Sequence, residues 1–299
     1  MMRLSVAIAS ADAPPDAFVV WRGFEQSFAK AAAMGYHGVE LALKTAGDVD
    51  AAAVRRQLDV AGLGVSCIST GQVFACLGLY FTATDAARRA EVVRVFVGLI
   101  DLAGELGTMV NIGRARGFVE KGEPVAAAEG RFIDVARRLA DYAAPRGVKL
   151  ILEPVNRYEI NFINSVEQGA ELMAKVERPN MALMPDLFHM NIEDRTLGGE
   201  LERYADRVAY LHLADSNRLA PGWGHTDFDA VFASLGRMRY DGWASVEILP
   251  RPDADAAARQ AAEFCLPLIA KHNELMSHAG ERQHATQRHR DTEKEREAE

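Results

Sequence analysis

Short apolar runs with strand-like spacing alternate with longer amphipathic stretches along most of this chain. The strand candidates are LSVAIAS from Leu4, HGVELAL from His37, VSCIST from Val65 and MVNIGR from Met109. The second half adds VKLILEPV, MALMPD, VAYLHLAD and ASVEIL. Between them, apolar positions three and four residues apart predict helices over 24–34, 51–61, 86–106, 125–143, 166–176, a short one near Leu201, 228–235 and 256–272. Gly35, Gly64, Gly107 and Gly147 each stand between a helical run and the next strand, where an αβ turn favours glycine. Eight strands alternating with eight helices predict an α/β fold, a single (β/α)8 barrel over residues 1–277. A doubly wound open sheet would carry a glycine-rich phosphate loop after an early strand; none follows the first, and NIGRARG after the fourth lacks the spacing. The stretch 278–299 is almost devoid of apolar residues and is expected to be a disordered or frayed polar tail.

The last four strand candidates each carry a residue with chemistry near the C-terminal end: Glu153, Asp186, His212 and Glu247. One such carboxylate could equally cap a helix or pair with an arginine, and one such histidine could be a hydrogen-bonded core residue. Four on consecutive strands of a barrel, at the rim where barrel chemistry gathers, point to a divalent metal site. Ile151, Leu152, Val246 and Ile248 flank the two glutamates, and an ionised carboxylate in such surroundings is costly without a compensating cation or hydrogen bonds. Three carboxylates and an imidazole suit a hard or borderline ion, with Mn2+ the leading expectation and Mg2+ or Co2+ as alternatives. Asp215 is a candidate acceptor for the second N–H of a metal-binding His212. Arg116 or Arg114, after the fourth strand, is a candidate for reading an anionic end of a substrate, since the guanidinium fork matches a carboxylate; a surface ion pair is the bland alternative. The segment GQVFACLGLYFTATD is expected to cover the site, with Phe74, Leu79, Tyr80 and Phe81 as a lid, a substrate wall or a dimer surface.

Composition narrows the partners. The 299 residues are 49% hydrophobic, enough for a large core, and the formal net charge of −8 offers no electrostatic footprint for nucleic acid or an anionic membrane. No apolar run reaches membrane-spanning length, and the N-terminus enters a strand without a leader-type pattern. Cys67, Cys76 and Cys265 are sparse and lack metal-site spacing, which fits free thiols in a reducing cytoplasm.

The motifs EPVNRYE, PDLFHMNIE, HLADSNR and SVEI resemble the ketose 3-epimerases of the D-tagatose 3-epimerase type, within the xylose-isomerase-like TIM-barrel superfamily. The resemblance covers the whole barrel to about Lys271, and NIGRARG and HLADSNRLAPGWGHTDF are similar to the branch described as 5-keto-L-gluconate epimerases. It implies a metal-dependent epimerase that inverts the carbon next to the ketone of a ketose or keto-sugar acid through an enediolate. Glu153 and Glu247 would ligate the ion and also move the proton on opposite faces. It further implies substrate contacts from Glu159, His189 and Arg218, and a homo-oligomer, a dimer or tetramer. His225 in GWGHTDF follows the keto-acid branch rather than the tagatose one, and is expected either to read the substrate or to anchor its loop. The alternatives are an aldose–ketose isomerase such as hydroxypyruvate isomerase, and a non-catalytic sugar-binding barrel. A three-zinc nuclease of abasic DNA would need more strand-end histidines than this chain offers: of its 8 histidines, His272, His278, His284 and His289 lie at or beyond the last helix.

Overall fold

The computed structural model describes residues 1–15 and 17–297, with side chains described to His278. Its strands are β1 (Arg3–Ala9), β2 (Trp21–Arg22), β3 (Gly38–Ala42), β4 (Gly64–Ser69), β5 (Val110–Ile112), β6 (Leu150–Leu152), β7 (Met181–Leu183), β8 (Tyr210–Leu213) and β9 (Trp243–Val246). The helices are α1 (Phe24–Ala33), α2 (Ala51–Ala61), α3 (Gly71–Leu77), α4 (Ala86–Leu106), α5 (Val125–Ala143), α6 (Val166–Val176), α7 (Leu187–Glu193), α8 (Leu197–Arg203), α9 (Phe228–Arg237) and α10 (Ala254–Glu297). Eight strands pair in parallel in the order β7-β6-β5-β4-β3-β1-β9-β8, with β2 attached to β1 outside this path. Single bridges between Leu183 and Val208, and between Asp186 and His212, bring the two ends of the sheet together. The result is a nearly closed (β/α)8 barrel.

The period-two alternation of each strand divides its side chains between two environments. In β1 and β3, Leu4, Val6, Ile8, Val39 and Leu41 join the main core between sheet and helices. The residues between them, Ser5, Ala7, Gly38 and Glu40, face the barrel interior. A small apolar cluster of Cys67, Ile151, Ala182, Met184, Tyr210 and Trp243 fills the floor of that interior. The mouth above it is left to polar residues.

Two short helices have no counterpart in the apolar periodicity: α3, inside the segment expected to cover the site, and α7, directly after β7. Each is a two-turn piece with too few positions to show a period. Within that covering segment Leu79 and Phe81 are buried in the core, which leaves Phe74 and Tyr80 nearer the surface. The left-handed cap of α2 is Gly62, not Gly64. Gly64 opens β4, and a Cβ there would sit 3.2 Å from the Trp243 ring. The polar stretch 278–299, expected as a disordered tail, falls outside the residues whose side chains are described, apart from His278; α10 carries its backbone to Glu297. Among the described residues, no helix is long and apolar enough to cross a membrane.

Gly38 is where floor packing is tightest: a Cβ would lie 2.5 Å from the Gly64 carbonyl oxygen and 2.7 Å from Trp243 Cη2. Gly38→Ala should therefore destabilise the fold by about 1–3 kcal/mol through overpacking. Urea unfolding measures this, and an unchanged midpoint would contradict the packing described.

Candidate metal centre

Glu153 follows β6, Asp186 follows β7, His212 lies within β8 and Glu247 follows β9. Adjacent parallel strands thus bring to one rim four residues that are far apart in sequence. One ligand atom from each falls within 4.8 Å of all the others. His212 Nδ1 lies 3.4 Å from Glu153 Oε1, 3.7 Å from Asp186 Oδ2 and 3.5 Å from Glu247 Oε2. Asp186 divides its carboxylate: Oδ1 caps α7 by accepting the Phe188 N–H at 2.8 Å, and Oδ2 turns into the cluster. His212 Nδ1 is buried without a hydrogen-bond partner, and Asp186 Oδ2 meets only the Arg218 guanidinium, at 2.9 Å. An imidazole nitrogen converging with three carboxylates is what a bound cation would satisfy. The donor set, one imidazole and three carboxylates, fits a hard or borderline divalent ion.

His212 and Tyr210 point the same way from β8, since they are two residues apart. The His212 Nε2–H faces Glu40, at 3.0 Å from Oε2 and 3.2 Å from Oε1. Tyr210 donates to Glu40 Oε2 at 2.8 Å, and its hydroxyl also meets Ser66 Oγ at 2.7 Å. Glu40 is wholly buried and sets the ring so that Nδ1 faces the ligand cluster. This corrects the role expected for Asp215. Its carboxylate instead accepts backbone N–H groups of Ser216 at 2.8 Å, Gly222 at 2.8 Å and Thr226 at 3.0 Å, and so folds the loop after β8. Glu40 was legible in HGVELAL as an acid between Val39 and Leu41, on the face opposite their apolar side chains.

Charge balance is local. Burial alone would raise the Glu153 carboxyl, but the nearby His212 and His189 rings bring it below its usual range. Burial likewise works against Asp186, and the Arg218 and histidine charges outweigh it, so its carboxyl is lowered. For Glu247 burial dominates, and its carboxyl is pushed up to about 8. Burial acts to lower His212, yet Glu40 and Glu247 raise it well above the ordinary range; an ion taking Nδ1 competes with that proton. Asn111 Nδ2 donates to Glu153 Oε2 at 3.1 Å. Arg218 Nη1 lies 2.9 Å from Asp186 Oδ2, and Nη2 donates to Glu247 Oε2. The Arg218 guanidinium also stacks between Phe18 and Phe188, at 4.6 and 4.8 Å from their ring centres. Its backbone holds a φ of 63°, a conformation kept by these contacts.

The remaining expected residues divide. Glu159, His189 and Arg218 line the same pocket as Glu153 and Glu247. Burial lowers His189, so the ring is neutral. Its Nδ1 lies 2.7 Å from the Asn156 amide nitrogen and its Nε2 3.2 Å from Arg218 Nη1, so the ring is held between these two side chains at the edge of the ligand cluster. Arg116, expected to read a substrate, is instead fully buried. It donates to the carbonyls of Phe162 (2.8 Å), Gly113 (3.0 Å), Glu153 (2.5 Å) and Ile163 (3.1 Å), bracing the backbone behind Glu153. Arg114, two residues earlier, does line the pocket. His225 is exposed and outside the pocket lining, and its backbone N–H donates to Ser216 Oγ at 3.0 Å, which favours loop anchoring over substrate reading.

Two substitutions test this geometry. Glu40→Gln should weaken divalent-ion binding by about 10–100-fold, since the ring loses its orienting carboxylate. Titration calorimetry with Mn2+ measures this, and wild-type affinity would remove Glu40 from the site. Arg116→Ala takes the side-chain donor from four carbonyl groups, of which those of Gly113 and Ile163 keep a backbone N–H, and should cost about 3 kcal/mol or more in unfolding free energy by urea denaturation.

Comparison with known proteins places this geometry. The model of the family described as xylose isomerase-like TIM barrel matches residues 28–268. The chain is 34% identical over 226 residues to an L-ribulose 3-epimerase of Methylomonas sp. (strain DH-1), covering 74% of this chain and 76% of that protein. It is 31% identical over 226 residues to a ketose 3-epimerase of Arthrobacter globiformis, covering 74% and 75%. A solved structure of L-ribulose 3-epimerase superposes with a TM-score of 0.79 at 25% identity, covering 92% of this chain and 96% of that one. The chain belongs to the xylose isomerase-like TIM barrel family, among relatives that are sugar epimerases.

Proposed function

We propose that this protein is a metal-dependent epimerase that inverts the carbon next to the ketone of a ketose or keto-sugar acid. The observation that carries the reading is the pairing of Glu153 and Glu247, two buried carboxylates that line one pocket and belong to one ligand cluster. Epimerisation needs a base for the departing proton and an acid for its return from the other face, and both must reach the same carbon. The names of the relatives support the same reaction class.

Glu153, Asp186, His212 and Glu247 would hold the ion, and the donor set suits Mn2+, our leading choice, as well as Mg2+ or Co2+. A divalent ion there supplies charge stabilisation for the oxygen of the ketone as the neighbouring C–H is broken. The chain's own groups do the rest. Glu153 and Glu247 each have one oxygen near the ligand cluster and a second that can meet the substrate carbon. One takes the proton and the other delivers one, so the planar intermediate is reprotonated with inversion. His189, Glu159 and the Arg218 guanidinium, which line the pocket beside the two glutamates, orient substrate oxygens. Phe18 and Val155 wall the pocket with apolar surface, which limits water at the carbanionic carbon.

Glu153→Gln and Glu247→Gln should each lower kcat by at least about 100-fold, the usual worth of one placed acid or base. The assay is NMR in D2O with Mn2+ and a panel of ketoses and ketohexonates. Wild-type protein should place deuterium at the inverted carbon. A migrated carbonyl would indicate aldose–ketose isomerisation instead, and full turnover by both variants with metal bound would sink the two-base reading.

A further inference from the structure

We propose that Arg114 and Gln72, which line one pocket, form a carboxylate subsite, so that the preferred substrates are keto-sugar acids rather than neutral ketoses. The proposal rests on the epimerase reading for its substrate, but its ground is separate.

The pocket has two poles. The ligand cluster occupies the ends of β6, β7, β8 and β9, whereas Gln72 and Arg114 follow β4 and β5. In the strand order of the barrel, β4 stands across from β8 and β5 from β9. Arg114 and Gln72 thus line the pocket from strands that do not carry the ligand cluster, where they are open to the part of a sugar chain that the cluster does not hold.

Three arginines of this region contrast in their partners. Arg116 is bonded to four backbone carbonyls, and Arg218 is paired with Asp186 and Glu247. Arg114 has no carboxylate within ion-pair distance and donates to no protein acceptor among the described residues. Its Nε is buried and unpartnered. Its guanidinium lies over the Phe74 ring, 5.0 Å from the ring centre, which steadies the plane of the fork without neutralising it. A partly buried guanidinium with no counter-charge among the described residues, lining a pocket, is suited to receive an anion.

Gln72 sharpens the class. It is 4% exposed, lines the same pocket and donates through Nε2 to the Ala42 carbonyl at 3.1 Å. Its Oε1 is buried with no donor. An unpartnered acceptor and an unpartnered fork lining one pocket match a carboxylate whose neighbouring carbon bears a hydroxyl. The carboxylate takes the fork, and the hydroxyl donates to Oε1. A dianionic phosphate fits less well, because the other arginine lining the pocket, Arg218, is already committed to two carboxylates.

The test compares a neutral ketohexose with ketohexonates and a ketohexose phosphate of matching configuration at the reacting carbon. Wild-type protein should favour a ketohexonate in kcat/KM. Arg114→Ala should lower the acid-to-neutral ratio about 10–100-fold, mainly through KM, as expected for a charge-assisted hydrogen bond. Arg114→Lys, which keeps the charge and loses the fork, should retain more of the ratio than Arg114→Ala. An unchanged ratio, or a wild-type preference for the phosphate or the neutral sugar, overturns the subsite. Binding separates this from the reaction itself. Mn2+-loaded wild-type protein should bind gluconate at least about tenfold more tightly than glucitol, and Arg114→Ala should erase the difference. If no sugar is epimerised but that difference holds, the epimerase reading fails and the subsite stands. Equal affinities for gluconate and glucitol overturn the subsite whatever the turnover.

Discussion

Concentrated negative charge in a barrel mouth is the constraint around which the rest of this structure is arranged. Glu153, Asp186 and Glu247 are brought within a few ångströms of one another in a place where water cannot screen them. Buried carboxylates in such numbers are tolerated only when each is answered by a cation or a donor. Arg218 answers two of them, Asn111 answers the third, and His212 stands among all three. What is left over, an imidazole nitrogen with no partner amid three carboxylates, is the share that a divalent ion would complete.

The scaffold holds this cluster by using the same residues for structure and chemistry. The bridge that brings β7 and β8 together at the seam of the barrel pairs Asp186 with His212, so closing the sheet also sets two ligands side by side. Asp186 caps a helix with one oxygen and serves the cluster with the other. Arg116 spends its donors on backbone carbonyls, including that of Glu153, and thereby fixes a ligand from behind. Below the cluster, Glu40, Tyr210 and Ser66 form a buried hydrogen-bonded column, and it ends on the apolar floor around Trp243. Rigid support of this kind keeps reacting groups within the small tolerances that proton transfer demands.

The pocket is correspondingly divided in purpose. In the proposed reaction, Glu153, Glu247, His189 and Arg218 would address the reacting ketone and the atoms beside it, and Gln72 and Arg114 would address the remainder of the substrate. The relatives, named as sugar epimerases, bear on the first group only. The proposed subsite would be where sugars of similar chemistry are told apart, since a single guanidinium can separate an acid from a neutral sugar.

Much of this was legible in the chain. The alternation of apolar runs with helical periods was enough for the barrel, and strand-end positions were enough to single out Glu153, Asp186, His212 and Glu247, because strand order and the C-terminal rim follow from local patterning. Tertiary structure alone decided which neighbours those residues have. Arg114 and Arg116 look equivalent in NIGRARG, yet one turn of a 3-10 helix sends one into the pocket and buries the other among carbonyl groups. Asp215 and Glu40 were both acids near apolar residues; only the closed barrel, which carries β3 across to β8, brings Glu40 rather than Asp215 to His212. Periodicity fixes the face a side chain occupies. Its partner depends on contacts between segments distant in sequence, and those exist only once the sheet has closed.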